Sequence, residues 1–405
     1  MGGHRNIKMV NKNKFAKRIA IFVSTPISEG GGAEKFFIET AKYLSNKNVP
    51  IDIVTLNQSF YKVYARFIHI IYYANFVKKL DYKGNEDKKE IKKRISPSRW
   101  IETSLFNLKK TLNLYDVIYT KNEVIDLLIL KIVGIGKMKK IILGMHTPHW
   151  YSKTKSFISR IHNTIYGGIF YKWLISDIKT VHSPNTTYAK TFKKQFDKNI
   201  YQIYYPISLS HIKNSSKNIK CSIKFDPKRL QIIYLGRIGE QKGIDYLCNL
   251  LNILSQQKEF FNKIQFNIIG SGEKKYEDIF NNLSKRYPWI HYYGYISSKF
   301  IPHILSKQDL LLSFSRWETL PYNILEAQAL GVPVIAFDIP GPQDIIQNGK
   351  TGFLVRSEAE LIEKITHIIN HNVSFDKQTI INHIKVKFND KRIYKEMLMM
   401  LYSAL

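Results

Sequence analysis

Cysteine is nearly absent. The 405 residues hold two, Cys221 and Cys248. One disulfide would constrain little in a chain of that length, which excludes a disulfide-scaffold secreted domain. No Cys/His cluster has zinc-ligand spacing. Long apolar runs are missing as well. Ile19 to Val23, which follows a basic stretch from Arg5 to Arg18, is too short for a signal-peptide core. The most apolar segment, Val124 to Ile135, is interrupted by Asp126 and Lys131, so no bilayer-spanning segment is expected. These absences lead to the expectation of a cytoplasmic chain, peripheral at most on the inner face of the membrane. Acidic residues are scarce: 32 against 62 basic ones, a formal net charge of +30. A positive field of that size favours nucleic acid, phosphorylated substrates or an anionic membrane without choosing among them. An AT-rich genome, which encodes many Lys, Asn and Ile residues, would leave the same excess.

What is present reads as a globular chain, 44% apolar and 23% charged, long enough for two domains. Arg18 to Thr25 is a β-rich apolar run, followed by Glu29-Gly30-Gly31-Gly32-Ala33-Glu34. Ala33, Phe37, Ala41 and Leu44 then recur at helical spacing before a second strand, Ile51 to Leu56. Strand, helix, strand in that order implies a parallel sheet. Tyr61 to Lys110 is basic with interleaved aromatics and suggests helices and an exposed connection. Val117 to Thr120, Ile141 to Met145 and Thr180 to Ser183 continue the strand series. Residues 208–229 are polar and Lys-rich, as a linker would be. A second βαβ series begins at Leu230, with strands at Gln231 to Leu235, Gln265 to Ile269, Ile290 to Tyr293, Leu310 to Phe314 and Pro333 to Phe337. The expected fold class is α/β: two Rossmann-like parallel-sheet domains facing across a cleft. Their bounds are 1–206 and 207–375, and residues 376–405 read as one or two amphipathic helices.

Open parallel sheets bind ligands beyond the carboxyl ends of their strands, so polar residues there carry the signal. Arg237 and Lys242 stand in a glycine-punctuated turn after a strand, where a planar fork and a point charge can close on one diphosphate. Glu318 precedes a helix expected to begin near Pro321, and Glu326 lies within it. Amides at that helix start could bind phosphate. Gly31 and Gly32 sit between a strand and a helix but lack G-x-G-x-x-G spacing. His146 follows a strand and opens His146-Thr147-Pro148-His149. Gly349-Lys350-Thr351 looks like the end of a P-loop, but Asp344 stands where its first glycine is required, which speaks against ATP hydrolysis.

These segments, in this order, resemble glycosyltransferase family 4, retaining enzymes of GT-B fold that use nucleotide sugars. The resemblance covers nearly the whole chain and is strongest from Leu235 to Val355. Gly236-Arg237, Lys242-Gly243, Gly270-Ser271-Gly272, Gly294-Tyr295, the Glu318–Glu326 pair, Gly331-Val332-Pro333-Val334 and Asn348 to Val355 carry it. It implies transfer from a UDP- or GDP-linked sugar to a hydroxyl of a growing glycan or lipid-linked saccharide, with 1–206 as the acceptor-binding domain, 207–375 as the nucleotide-sugar-binding domain and the helices of 376–405 packing back toward the first. By the resemblance, Arg237 and Lys242 hold the donor diphosphate, Glu326 the ribose hydroxyls and Glu318 the transferred sugar. Gly31 and Gly32 approach from the first domain, His146 lies beside the anomeric centre and Tyr295 flanks the base. Amide donors remain at Leu320, Tyr322 and Asn323; Thr319 and Pro321 replace glycines common between the acids. No Asp-x-Asp pair occurs, so no metal and no other cofactor is expected. A nucleotide-sugar epimerase of the same fold, a basic nucleic-acid or membrane-binding protein and a non-catalytic paralogue remain as rivals. Of these, the nucleic-acid reading leaves the glutamate pair unexplained, and no nucleic-acid partner is expected.

Overall fold

The computed structural model describes residues 17–24, 31–57, 99–135, 140–148, 157–217, 223–371 and 373–404. The basic run Arg5 to Lys14, Gly30, the aromatic–basic stretch from Tyr61 to Ser98, His149 and Cys221 lie outside them. The first half runs β1 (Ile19–Val23), α1 (Gly32–Ser45), β2 (Ile51–Leu56), β3 (Trp100–Thr103), α2 (Leu105–Leu112), β4 (Val117–Lys121) and α3 (Val124–Val133). It continues with β5 (Lys140–Gly144), α4 (Phe157–Gly167), α5 (Ile169–Leu174), β6 (Thr180–Ser183), α6 (Thr186–Gln195) and β7 (Asn199–Gln202). After α7 (Leu209–Lys217), the second half runs β8 (Leu230–Leu235), α8 (Ile244–Ser255), β9 (Ile264–Ile269), α9 (Lys274–Arg286), β10 (Ile290–Tyr292), α10 (Ile301–Leu305) and β11 (Leu310–Ser313). It closes with α11 (Tyr322–Ala329), β12 (Val334–Phe337), α12 (Pro342–Ile345), β13 (Gly352–Val355), α13 (Glu358–His371), α14 (Lys377–Lys387) and α15 (Asp390–Ser403).

The strands form two parallel sheets, ordered β3-β2-β1-β4-β5-β6-β7 and β10-β9-β8-β11-β12-β13. Central strands such as β1 and β9 are buried along their whole length, because helices cover both faces of a parallel sheet. In each sheet the strand order reverses once, between β1 and β4 and between β8 and β11. Those reversals open crevices at the carboxyl ends.

Three strands stand outside the series read from the sequence: β3, β7 and β13. All three are edge strands. Edge strands are half-covered and tolerate polar residues, as in the Asn199–Gln202 strand with its exposed ends. Where the spacing suggests helices, Trp100–Thr103 is a strand; the Trp100 indole N–H donates to Thr55 Oγ1 at 2.8 Å. The polar segment read as a linker contains α7.

The halves share one apolar cluster. It passes from Phe37 and Ile38 of α1 through Tyr205 and Tyr322 to Ile324, Met397 and Leu401. Terminal helix α15 lies against the first domain: the Tyr43 and Tyr394 rings stack 3.9 Å apart, and Tyr201 Oη meets Ser403 Oγ at 2.9 Å.

Candidate active site

Two loops meet beside the β8–β11 crevice. The first, residues 236–243, leaves β8; the second, 314–321, leaves β11. Gly243 has φ +62°, and a Cβ there would lie 2.0 Å from the Phe314 carbonyl oxygen, so the loops touch backbone to backbone only because this residue is glycine. Arg316 ties them further. Its amide donates to the Gln241 carbonyl at 2.9 Å and its guanidinium to the Glu240 carbonyl at 2.7 Å and to Asp245 at 2.9 Å. Asp245 is held below the usual carboxylate range; its burial works against that shift, and the Arg316 hydrogen bond and charge outweigh it. Gln241 bridges both loops, donating to the Trp317 carbonyl at 3.2 Å and accepting from Arg237 at 3.0 Å.

This scaffold places Lys242 against Glu318. The ammonium donates to Glu318 Oε1, which also accepts from Ser315 Oγ at 2.8 Å. Glu318 is buried, Lys242 half-buried and Arg237 exposed. Helix α11 starts at Tyr322 with Pro321 as its N-cap, one residue later than the sequence suggests. Its start, with the Leu320, Tyr322 and Asn323 amides, adjoins Glu318. The Asn323 side chain is committed to the Leu235 carbonyl at 2.8 Å, which fixes α11 to the end of β8. Tyr295 is exposed beyond β10.

The first domain approaches the same helix. Gly31 caps α1 and Gly32 opens it; a Cβ on Gly32 would contact the Tyr322 ring at 3.5 Å. Lys35, one turn on, pairs with Glu326 and lies 4.9 Å over the Tyr322 ring. Tyr205 stacks on that ring from the other side at 5.0 Å and 7°. No sequence signal marks Lys35, because its role depends on a partner 291 positions away.

His146 is buried behind this contact. Tyr205 Oη meets its Nδ1 at 2.7 Å, and its Nε2 meets Tyr119 Oη at 2.8 Å. Tyr119 Oη then meets His182 Nδ1 at 2.6 Å, while His182 Nε2 lies 2.7 Å from the Ile203 carbonyl. That carbonyl can only accept, so His182 carries its proton on Nε2 and Tyr119 donates to Nδ1. His146 must then donate to Tyr119 and accept from Tyr205. Burial holds His146 well below its ordinary pKa and lowers His182 to about 4. Both rings are neutral, and both ring nitrogens of His146 are used inside the domain. The His146 carbonyl instead reaches across the cleft, accepting from Thr319 Oγ1 at 2.9 Å, while Asn185 donates to the Thr319 carbonyl at 2.9 Å.

Asp126, in sequence merely a break in an apolar run, is fully buried and accepts from the Ser24 amide at 2.6 Å, pinning the end of β1. Burial raises its pKa against the opposing pull of Lys121. The rule that singled out His146, a polar residue at a strand's carboxyl end, also fits His182 and Asn185. Asp344, in sequence only the residue that breaks the P-loop pattern, joins the domains by accepting from the Thr186 amide at 3.0 Å.

Residues 215–385 match the family of glycosyl transferases group 1. The chain is 28% identical over 274 residues to an uncharacterized 41.2 kDa protein in the cps region of Klebsiella pneumoniae, covering 65% of this chain and 71% of that one. It is 30% identical over 126 residues to the alpha-D-kanosaminyltransferase of Streptomyces kanamyceticus, spanning 31% of this chain and 32% of that protein's length. Among solved structures, Anabaena HepE in complex with UDP-glucose superposes with a TM-score of 0.69 at 16% identity, covering 96% of this chain and all of that one. The fold is GT-B, and the match to the glycosyl transferases group 1 lies across the second domain and its flanks.

Proposed function

We propose that the chain transfers a sugar from a nucleotide diphosphate sugar to a hydroxyl acceptor, with retention at the anomeric carbon and without a divalent metal. The observation that carries this reading is the convergence of Lys242, Glu318 and the start of α11 on one crevice, with Arg237 on its rim. Departure of a nucleoside diphosphate leaves negative charge on its phosphate oxygens. Two fixed cations and a helix start stabilise that charge without reorganisation. Arriving diphosphate takes Lys242 from Glu318, and the released carboxylate accepts from hydroxyls of the sugar. Glu326 accepts from the ribose hydroxyls, and Tyr295 flanks the base. Gly31 and Gly32 let the first-domain backbone close on the donor, and the amides at Leu320, Tyr322 and Asn323 face its phosphates. His146 acts as a positioning residue, holding Thr319 through its carbonyl while its neutral ring stiffens the wall.

The UDP-glucose of the Anabaena structure supports a UDP-linked donor over a GDP-linked one. The cps-region relative supports a growing polysaccharide or lipid-linked saccharide as acceptor. The test is release of nucleoside diphosphate from a panel of UDP-, GDP- and ADP-sugars, first in EDTA and then with magnesium. Turnover of one donor in EDTA is expected. Turnover that appears only with magnesium would overturn the metal-free mechanism, and release from no donor would overturn the transferase reading.

A further inference from the structure

We propose that α5 and the lysines around its end form a docking surface for an anionic lipid bilayer. The helix buries Tyr171 and Leu174 but leaves Ile169 86%, Phe170 45% and Trp173 47% exposed. The Phe170 and Trp173 rings stack 5.9 Å apart, making one apolar ridge. Lone exposed apolar residues need no explanation; three on two turns, two of them large aromatics, do.

The surroundings say what covers the ridge. Lys172 is exposed within it. Lys131 Nζ lies 5.3 Å over the Trp173 ring and donates to Asp177 at 2.7 Å. Lys198 donates to the Ile175 carbonyl at 3.0 Å, just past the helix. Lys140 and Lys179 are exposed where β5 and β6 begin, on strands adjacent in the sheet. The acids recorded beside Lys131 and Lys198 are Asp177 and Asp197. An aromatic ridge with a lysine rim matches the interface of an anionic bilayer, where rings sit at headgroup depth and ammonium groups meet phosphates. A second copy fits poorly, because a two-fold contact would press the same lysine rim against itself. The surface stands at the amino ends of the first sheet's strands, opposite the crevice, so a docked molecule keeps its crevice open to solvent. The inference therefore stands independently of the donor reading.

Flotation of the full chain with vesicles tests it. Wild type is expected to float with phosphatidylglycerol-containing vesicles at low salt and to be released at high salt. The double variant Phe170→Ser/Trp173→Ser should lose partition about tenfold or more, and Lys172→Glu/Lys179→Glu should lose it at low salt. A cooperative thermal melt at the wild-type temperature checks that each variant is folded; if the first variant fails that check, the lysine pair decides. Equal flotation with neutral phosphatidylcholine vesicles, or wild-type flotation by the folded variants, would overturn the proposal. So would a dimer in sedimentation velocity that Phe170→Ser/Trp173→Ser dissolves, since the occupant would then be a second copy.

Discussion

At the carboxyl ends of the second sheet, charged side chains stand in the loops: Arg237 and Lys242 in a glycine turn after β8, Glu318 in the loop after β11. Beside the Lys121–Asp126 pair, the same ends of the first sheet carry polar groups that are neutral and buried. They are closed on one another from Tyr205 through His146 and Tyr119 to His182. Lys242 can be handed from Glu318 to a ligand, because one charged partner replaces another. The first-domain chain cannot admit a ligand without orphaning a buried donor or acceptor, which costs about 1–3 kcal/mol. The proposed function therefore puts the chemistry on the second sheet and makes the first a stiff wall with a glycine opening at Gly31 and Gly32.

The strongest way to break this contrast is Lys242→Ala, and likewise Arg237→Ala. Each should lower donor turnover by about 100- to 1000-fold, the range for removing one group that stabilises developing charge. Normal turnover in either would remove that residue from the mechanism. Next comes Glu326→Ala. Hydrogen bonds to a charged group contribute about 1.5–3 kcal/mol, so donor KM should rise about 10- to 100-fold with less change in kcat. A fall in kcat alone would move Glu326 from ribose binding to the chemical step. Tyr119→Phe sharpens the comparison from the other side. It leaves His182 Nδ1 without its donor and His146 without its acceptor, so denaturant unfolding should show about 1–3 kcal/mol of lost stability while nucleotide binding stays near wild type. If Tyr119→Phe instead cut turnover as deeply as Lys242→Ala, the first-domain chain would be part of the chemistry.

The smallest effect is the pH dependence of that wall. His182 has a folded pKa near 4, and His146 is also depressed. Below about pH 6.5 the unfolded chain takes up protons that the folded one refuses. Stability is thus complete above the unfolded value and falls as pH drops toward 4, by at most about 1.4 kcal/mol per pH unit for each histidine. Melting temperatures measured across this window should show the decline, and His182→Asn should flatten it. A decline of the same steepness in that variant would place its cause elsewhere.

Much of this arrangement is legible in the sequence where signals are local. Buried central strands such as β1 and β5 announce themselves as apolar runs, and the glycines and charges after β8 and the charges after β11 occupy fixed offsets. Edge strands β3 and β7 do not, because one side of each is free of pairing and tolerates polar residues; β13 is apolar but only four residues long. The donor-side residues Arg237, Lys242 and Glu318 can be picked out because their loops carry their own punctuation. Lys35, Tyr205 and Thr319 cannot, because each acts on a partner in the other domain. His146 shows the limit from the opposite direction: its position after a strand is visible, but the inward turn of its ring depends on Tyr119 and Tyr205.

The most direct measurement is calorimetric binding of UDP, GDP and ADP in EDTA to the wild-type chain and to the double variant Arg237→Ala/Lys242→Ala. The account predicts that one of these nucleotides binds the wild type without metal and that the folded double variant binds it about 100-fold more weakly or worse. Binding of none of them by the wild type, or equal binding by the two proteins, would contradict it.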